Sequence, residues 1–421
     1  MRWTKTVSAV VLALAVSVGG LGAFWTPVAS ASHQSVTIDS PSEGDQYFVG
    51  EAVSINGTAN GSVGSVALYA RASGDWLLLD VNQDGVRDGS DTLTVDTDGS
   101  WSVRNLVLAD SNPILSYPGN YQLGAVDAAE VGENGSVPSS LPANRLLEAG
   151  GAQSSLRIER ARLEGSFLTV GGELPTENAE ITVEGTARGA QELLVVLVDS
   201  RGNVAADRIA VPRGSGSFDQ DVALLTPDGE QLAEGQTTGY VLAVGRDNRV
   251  GDGLLPDGSN ATLDALAEYL TTSPGRLDAW QVRERLLGQT VDEAGSDDLL
   301  VSTQFRYAEK STTVSSVTPE SLVGAEGIYA VTAGETMVVR GRTNRLPDES
   351  TIMVEATDGP TPSRISTAWT QDWNLDGNWA VSMNTDGVEP GRYTLTVDVD
   401  GDTADQVQVR ILPSFGNVTP G

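Results

Sequence analysis

Apolar and polar residues alternate in short runs along most of the chain. The runs "GEAVSINGTANG" (50–61), "NAEITVEGTARG" (178–189) and "GETMVVRGRTNR" (334–345) share one pattern, in which alternating apolar residues lead to a glycine and a polar turn. A period of two places successive side chains on opposite faces of a strand, so these runs predict half-buried antiparallel strands. Asp-Gly pairs, as at Asp98-Gly99 and Asp376-Gly377, predict turns between strands.

The same order of strand-like runs occurs three times. The three runs above are followed by "SVALYARA", "ELLVVLVDS" and "STIMVEATD", and later by "GNYQLGAVD", "TGYVLAVGRD" and "GRYTLTVDVD". A spacing of roughly 130 to 155 residues is the size of whole domains and too long for a solenoid repeat. Seven or so short strands per unit predict an all-β protein of tandem immunoglobulin-like β-sandwich domains. We place these domains at 33–160, 161–312 and 313–413, with a tail at 414–421.

One part of the chain has the period of a helix. In "NATLDALAEYL", the apolar residues Leu263, Leu266, Ala267 and Leu270 recur at helical spacing. The next segment, "SPGRLDAWQVRERLLG", predicts a second helix with Pro274 near its start and Gly288 just past its end. The second domain is therefore predicted to carry a short helical insertion at about 260–288, the only helical stretch that the pattern indicates.

Several tryptophans lie in or beside the predicted strands. These residues are Trp76, Trp101, Trp369, Trp373 and Trp379. Their expected role is packing in a core or on a sheet face, because aromatic side chains bury large apolar areas.

The first 31 residues have the features of a secretion signal. Arg2 and Lys5 precede the apolar run "VSAVVLALAVSV", and Ala29-Ser30-Ala31 offers a small-residue cleavage site. No other stretch is apolar over the ~20 residues that a membrane helix needs. The sequence therefore predicts a secreted chain at the extracellular cell surface, without a transmembrane anchor of its own.

Composition narrows the classes of function. The chain has 57 acidic against 26 basic residues, a formal net charge of −31, and only two lysines, Lys5 and Lys310. Binding to nucleic acid or anionic lipid through a basic patch is not expected. An acidic, lysine-poor surface is typical of a protein that works in molar salt. With no cysteine and one histidine, His33, the chain lacks the residues for thiolate or Ser-His-Asp catalysis and for ordinary zinc sites. We predict that it is not an enzyme.

The stretch "LLLDVNQDGVRDGSD" (77–91) concentrates oxygen donors around one glycine, Gly85. Its spacing is that of an EF-hand-type loop, in which six to eight oxygens converge on calcium and the glycine permits a sharp turn. The predicted ligands are the side chains of Asp80, Asn82, Asp84, Asp88 and Asp91 and the carbonyl of Val86. The cofactor would be calcium, with magnesium as the second candidate and a solvated acidic turn as the alternative. A similar start in "DWNLDGNW" (372–379) lacks later ligands and predicts a plain turn.

Five Asn-X-Ser/Thr sequons are glycosylation candidates in a secreted chain. They begin at Asn56, Asn60, Asn134, Asn260 and Asn417. Asn134, in a glycine-rich loop, is the strongest candidate. Asn56 and Asn260 also suit the role of turn or cap residues.

Long runs resemble one known family. The segments "GEAVSINGTANGSVGSVALYARASGDWLLLD", "VLAVGRDNRVGDGLLPDGSNATLDALAEYL", "QTVDEAGSDDLLVSTQFRYAE" and "WNLDGNWAVSMNTDGVEPGRYTLTV" are similar to the C-terminal half of haloarchaeal S-layer glycoproteins. The resemblance covers nearly all of the chain after residue 31. It implies consecutive immunoglobulin-like domains in a glycosylated, divalent-cation-dependent lattice around the cell. The family's N-terminal domains, its Thr-rich stalk and its C-terminal anchor have no counterpart in this sequence.

These observations favour a structural cell-surface protein, a subunit of or relative of an S-layer lattice that assembles through domain packing and divalent cations. Its partners would be other copies or other S-layer subunits. One alternative is a secreted accessory protein or adhesin that binds an S-layer or surface glycans. Another is an extracellular filament subunit that pairs through exposed strand edges.

Overall fold

The computed structural model describes residues 35–132, 136–212, 214–246, 249–272, 277–322, 324–347 and 349–414. The predicted signal at 1–31, His33, the sequon asparagines Asn134 and Asn417 and most of the predicted tail lie outside the described residues. Over the described residues the chain folds into short, mainly antiparallel strands, as the period of two predicts. The predicted all-β, immunoglobulin-like fold class is confirmed.

The first sandwich packs a large sheet against a strand pair. Within its described residues the large sheet has the order β1-β9-β7-β3-β4-β8, with β5 also paired to β3, and the second layer is β2-β6. Leu68 and Leu123 from the large sheet share one core with Ile55 and Trp101 from the pair. The strands are β1 (Asp45–Phe48), β2 (Ala52–Thr58), β3 (Ser65–Arg71), β4 (Trp76–Leu78), β5 (Thr92–Thr94), β6 (Ser100–Val107), β7 (Gly119–Asp127), β8 (Ser140–Leu141) and β9 (Ala152–Glu159).

The outer face of this large sheet is also covered, by helices that the hydrophobic pattern did not predict. They are α1 (Leu108–Ser111), α2 (Ala128–Val131) and α3 (Arg145–Glu148), with a 3-10 turn at Pro113–Ser116. Leu146 of α3 and Val131 of α2 pack with Tyr69 and Trp76 of the sheet in a second buried cluster. The prediction of a single helical stretch was therefore wrong. Each of these helices is four residues long, too short to display a 3.6-residue period.

The second sandwich has two sheets, with the described strands ordered β10-β12-β15 and β11-β17-β16-β13-β14. Phe167 and Ile181 of the smaller sheet meet Val195 and Phe305 of the larger one in a shared core. The strands are β10 (Arg162–Phe167), β11 (Glu173–Pro175), β12 (Glu180–Arg188), β13 (Glu192–Asp199), β14 (Val204–Ala210), β15 (Ser217–Ala223), β16 (Gly235–Ala243) and β17 (Leu299–Ala308).

The predicted helical insertion lies between β16 and β17 as α4 (Leu263–Thr271) and α5 (Ala279–Gly288). Leu266 and Leu286 pack against the outer face of the larger sheet. The second helix begins later than predicted, at Ala279, because Asp278 forms a capping box with Gln281. Gly288 is its last residue and not the residue after it.

A buried carboxylate holds the start of the insertion. Asp298, next to β17, accepts the backbone N–H groups of Gly245 and Gly251 at 3.0 and 2.8 Å. Burial raises the pKa of Asp298 to about 6, against the lowering effect of these hydrogen bonds.

The third sandwich pairs β19-β18-β21-β24 with β20-β26-β25-β22-β23 over its described residues. Trp379, Tyr393 and Trp373 lie in its core. Trp369 does not: it sits on the edge strand β23 with 67% of its surface exposed, so the expectation of a packed side chain was wrong there. The strands are β18 (Thr312–Pro319), β19 (Gly327–Ile328), β20 (Val331–Thr332), β21 (Met337–Thr343), β22 (Ile352–Asp358), β23 (Ala368–Thr370), β24 (Asn378–Met383), β25 (Gly391–Val399) and β26 (Asp402–Leu412).

Candidate functional site

The predicted calcium loop joins β4 to β5 in the first sandwich. Its two ends are buried, with Asp80 2% exposed and Asp91 fully buried. The residues between them are largely exposed, including Val86 at 55%. The loop connects strands, as predicted.

The two terminal aspartates fold the loop back on itself. Asp80 accepts the backbone N–H groups of Asp84 and Gly85 at 3.2 and 2.7 Å. Asp91 accepts those of Val81 and Asp88 at 3.0 and 2.9 Å. Loop closure therefore comes from carboxylates that bind backbone donors, which is the reason that both can be buried.

The other predicted ligands make local turns. Asn82 Oδ1 accepts the N–H of Asp84, and Asp84 Oδ1 accepts the N–H of Val86. Asp88 Oδ1 accepts the N–H of Ser90 at 2.8 Å, and this bond lowers the pKa of Asp88.

Acidic side chains at the buried end of the loop repel one another. Burial raises the pKa of Asp91, and the carboxylate of Asp80 raises it further. Burial likewise raises the pKa of Asp110, which follows β6, and Asp80 again adds to the effect. Across the described part of the chain no arginine or lysine forms an ion pair with Asp80 or Asp91. A bound cation would offset this negative charge.

The geometry fits a calcium ion only in part. The loop brings Asp80 and Asp91 together, whereas Asp84 and Asp88 are engaged by neighbouring N–H groups. Among the described residues no three acidic or histidine side chains are grouped as metal ligands. Calcium binding by this loop therefore stays a prediction.

Glycines meet at the junction between the first and second sandwiches. A Cβ on Gly50, which follows β1, would collide with the carbonyl of Gly189, and one on Gly189 would collide with that of Val49. Both glycines have positive φ, +83° and +93°, a conformation that other residues adopt at a cost. The guanidinium of Arg188 also lies 5.7 Å from the ring centroid of Phe48. The two domains are packed backbone to backbone.

The second acid-rich loop, "DWNLDGNW" (372–379), lies at the junction between the second and third sandwiches. It is a turn, as predicted, with Gly377 donating to the carbonyl of Asn374. It also reaches the second sandwich, where the N–H of Gly171 donates to the carbonyl of Leu375 at 2.7 Å. Val170, one residue earlier, is part of the core of the third sandwich. Sequence reasoning missed this role, because a turn motif carries no signal of the partner that it contacts.

Three of the predicted glycosylation residues lie in the described chain. Asn60 and Asn260 are exposed, whereas Asn56 is half-buried within β2. The backbone of Asn56 bonds to Ser40 on one side and pairs with Ser102 on the other. Asn60 and Asn260 are therefore the more accessible of the three.

The fold places the chain in the class of multidomain proteins that are built from tandem immunoglobulin-like sandwiches with packed junctions. Within the described residues, no helix has the length and hydropathy needed to cross a membrane. No protein-family profile matches the chain.

Comparison of the sequence with curated proteins identifies its relatives. The chain is a homologue of the haloarchaeal cell surface glycoproteins, as its resemblance predicted. It is 33% identical over 382 residues to the cell surface glycoprotein of Halobacterium salinarum, covering 90% of this chain and 41% of that protein. It is 36% identical over 350 residues to that of Haloarcula japonica, covering 82% and 38%. The chain thus spans about two fifths of the curated relatives it matches, and its predicted extracellular cell-surface location agrees with their names.

The chain is less similar to solved structures than to these relatives. A tetra-tandem repeat from the extending region of a large adhesion protein is 14% identical, with a TM-score of 0.24, and covers 89% of this chain and 72% of the other. Domains 1–6 of the surface layer protein SbsC are 11% identical, with a TM-score of 0.18, and cover 90% and 54%. The fold assignment rests on the sheets described above.

Proposed function

We propose that this chain is a structural subunit of a haloarchaeal surface layer, and that it works by domain packing and not by catalysis. The observation that carries the proposal is its similarity to cell surface glycoproteins over 90% of its length. The junctions at Gly50–Gly189 and Gly171–Leu375 support it. A lattice subunit must hold the spacing between its contacts, and backbone-to-backbone junctions limit the motion between domains at 33–160, 161–312 and 313–413.

The proposed assembly needs salt and divalent cations. A net charge of −31 opposes self-association, because like charges repel unless they are screened or bridged. Calcium at the 80–91 loop would neutralise Asp80 and Asp91 and stiffen one end of the first sandwich. Further divalent ions would bridge carboxylates between copies. Glycans on Asn134 and on at least one of Asn56, Asn60 and Asn260 complete the proposal.

Envelopes from cells that make the protein provide the test. We expect the chain to be a stoichiometric component of the envelope, to be retained in molar salt, and to be released as soluble units by low salt with a chelator. Recovery far below the stoichiometry of a longer surface protein, or loss in a molar-salt wash, would instead favour the accessory or adhesin role.

A further inference from the structure

A groove beside the linker between the first two sandwiches is rich in arginine. One cavity of about 750 Å³ is lined by residues 118–120 and 157–162, and a second of about 450 Å³ is lined by Tyr117, Arg246 and Asp297, among others. Pro118, Arg160 and Ala161 line both, so the two cavities adjoin each other. Volumes of this size are typical of small-ligand sites.

Charged residues of both signs line the groove, four arginines (Arg157, Arg160, Arg162 and Arg246) against Glu159, Asp297 and Asp298. "RIERAR" (157–162) places three arginines in six residues of a chain whose net charge is −31. Arg157 and Arg162 share a single carboxylate, that of Glu159, at 3.4 Å each. A guanidinium has five N–H donors, so this shared contact leaves most of the donors of both exposed arginines available.

Arg160 lies where the two cavities meet. It is exposed, and within the described residues its guanidinium has no hydrogen-bond or ion-pair partner. An unpaired guanidinium can bind a carboxylate or sulfate in a bidentate manner.

An aromatic ring adjoins this cationic surface. Arg246 is held by Asp297 at 3.5 Å and lies 5.0 Å from the ring centroid of Tyr117. Tyr117 is nevertheless 57% exposed, so part of its ring surface remains open. The apolar C–H face of a sugar ring packs well on such a ring, and the phenol hydroxyl supplies a polar contact.

We propose that this groove binds a sulfated saccharide, with the sulfate on Arg160 and a sugar ring against Tyr117. The proposal does not depend on the lattice role. In molar salt the Debye length falls to about 3 Å, so binding must come from direct contacts and not from long-range attraction.

Calorimetric titration of the purified chain in molar salt tests it, with three probes: a sulfated disaccharide, its unsulfated parent and inorganic sulfate. We expect the sulfated disaccharide to bind and the parent not to bind at the same concentrations. Inorganic sulfate should bind at least about tenfold more weakly, because it cannot contact the tyrosine. Equal affinity for inorganic sulfate would overturn the saccharide assignment, and no binding of the disaccharide would overturn the site.

Matched variants assign the contacts. Arg160→Gln should weaken disaccharide binding by about tenfold or more, and Arg162→Gln should weaken it as well. Arg104→Gln, which removes the same charge from an exposed position on β6, should leave it unchanged. Tyr117→Leu should weaken the disaccharide and not inorganic sulfate. Unchanged disaccharide affinity in Arg160→Gln, with melting curves like those of the parent, would refute the proposal.

Discussion

Gly57 of β2 lies directly opposite Trp101 of β6, and a Cβ at position 57 would come within 2.5 Å of the indole Cζ2. The same Cβ would also collide with the carbonyl of Thr37 on the other side. The indole N–H donates to the carbonyl of Thr58 at 3.2 Å, which fixes the ring over the glycine. The glycine of "INGT" is therefore required by the aromatic ring that covers it.

The relationship is repeated in the other two sandwiches. Gly185 pairs with Phe218, whose Cζ would lie 2.8 Å from an added Cβ, and Gly341 pairs with Trp379. The glycine that follows the alternating apolar residues in each of the three repeated runs thus marks the place where an aromatic residue from the paired strand closes the core.

Gly57→Ala should destabilise the first sandwich by about 3 kcal/mol, because the added methyl group has no room and the core must shift. Chemical denaturation in molar salt measures the change. Gly64→Ala is the matched control in the same domain, since nothing lies within 4 Å of an added Cβ there. Its expected effect is within about 1 kcal/mol, in either direction. Equal effects of the two substitutions would contradict the close packing of Gly57 and Trp101.

Gly189→Ala should loosen the first domain junction, because its Cβ would collide with the carbonyl of Val49. Small-angle scattering should show a larger radius of gyration and greater flexibility than in the parent chain. Gly214→Ala is the control, since it has a similar positive φ of +85° but open space around its Cβ. Both substitutions carry a backbone cost of about 1–2 kcal/mol, so a difference in scattering isolates the collision.

Much of the fold can be predicted from the sequence, because the features that define a strand or a helix lie within a few neighbouring residues. The period of two in Val53 and Ile55, or in Leu395 and Val397, shows which side of a strand is buried. The strands and the faces of the sheets can therefore be predicted from the sequence. The helical spacing of Leu263, Leu266 and Leu270 in α4 is readable for the same reason.

What could not be predicted depends on distant contacts. Trp369 is exposed because β23 is an edge strand, and strand order is not encoded in the local pattern. The junction of Gly50 with Gly189 joins residues from two different domains. Arg160 falls in an arginine-rich run that is visible in the sequence, but the tertiary fold is needed to place Tyr117 and Arg246 beside it.

Millimolar calcium should raise the melting temperature of the chain in molar salt. At one hundred times the dissociation constant, a ligand that binds only the folded state stabilises it by about 2.7 kcal/mol. Asp80→Asn should remove this calcium response, because Asp80 is the first predicted ligand and lies at the buried end of the loop. Asp372→Asn in the second acid-rich loop should retain it. No calcium response in the parent chain, or an undiminished one in Asp80→Asn, would count against the site.

Stability should depend on pH through Asp298. Its pKa is raised to about 6 in the folded protein, from an ordinary value of 3.8, by burial. A group with a raised pKa stabilises the fold fully below its unfolded pKa, and that contribution is lost as pH rises through the folded pKa. The contribution of Asp298 should therefore fall between about pH 4 and pH 6. Denaturation series for the parent and Asp298→Asn should diverge in slope over that window, and parallel curves would contradict the shift.

Electron microscopy of the purified chain tests the central claim most directly. In molar salt with millimolar calcium, we expect side-by-side association into ordered two-dimensional arrays. A chelator in low salt should disperse them, because a net charge of −31 is then neither screened nor bridged. Single, unassociated molecules at high protein concentration in molar salt and calcium would contradict the structural role proposed here.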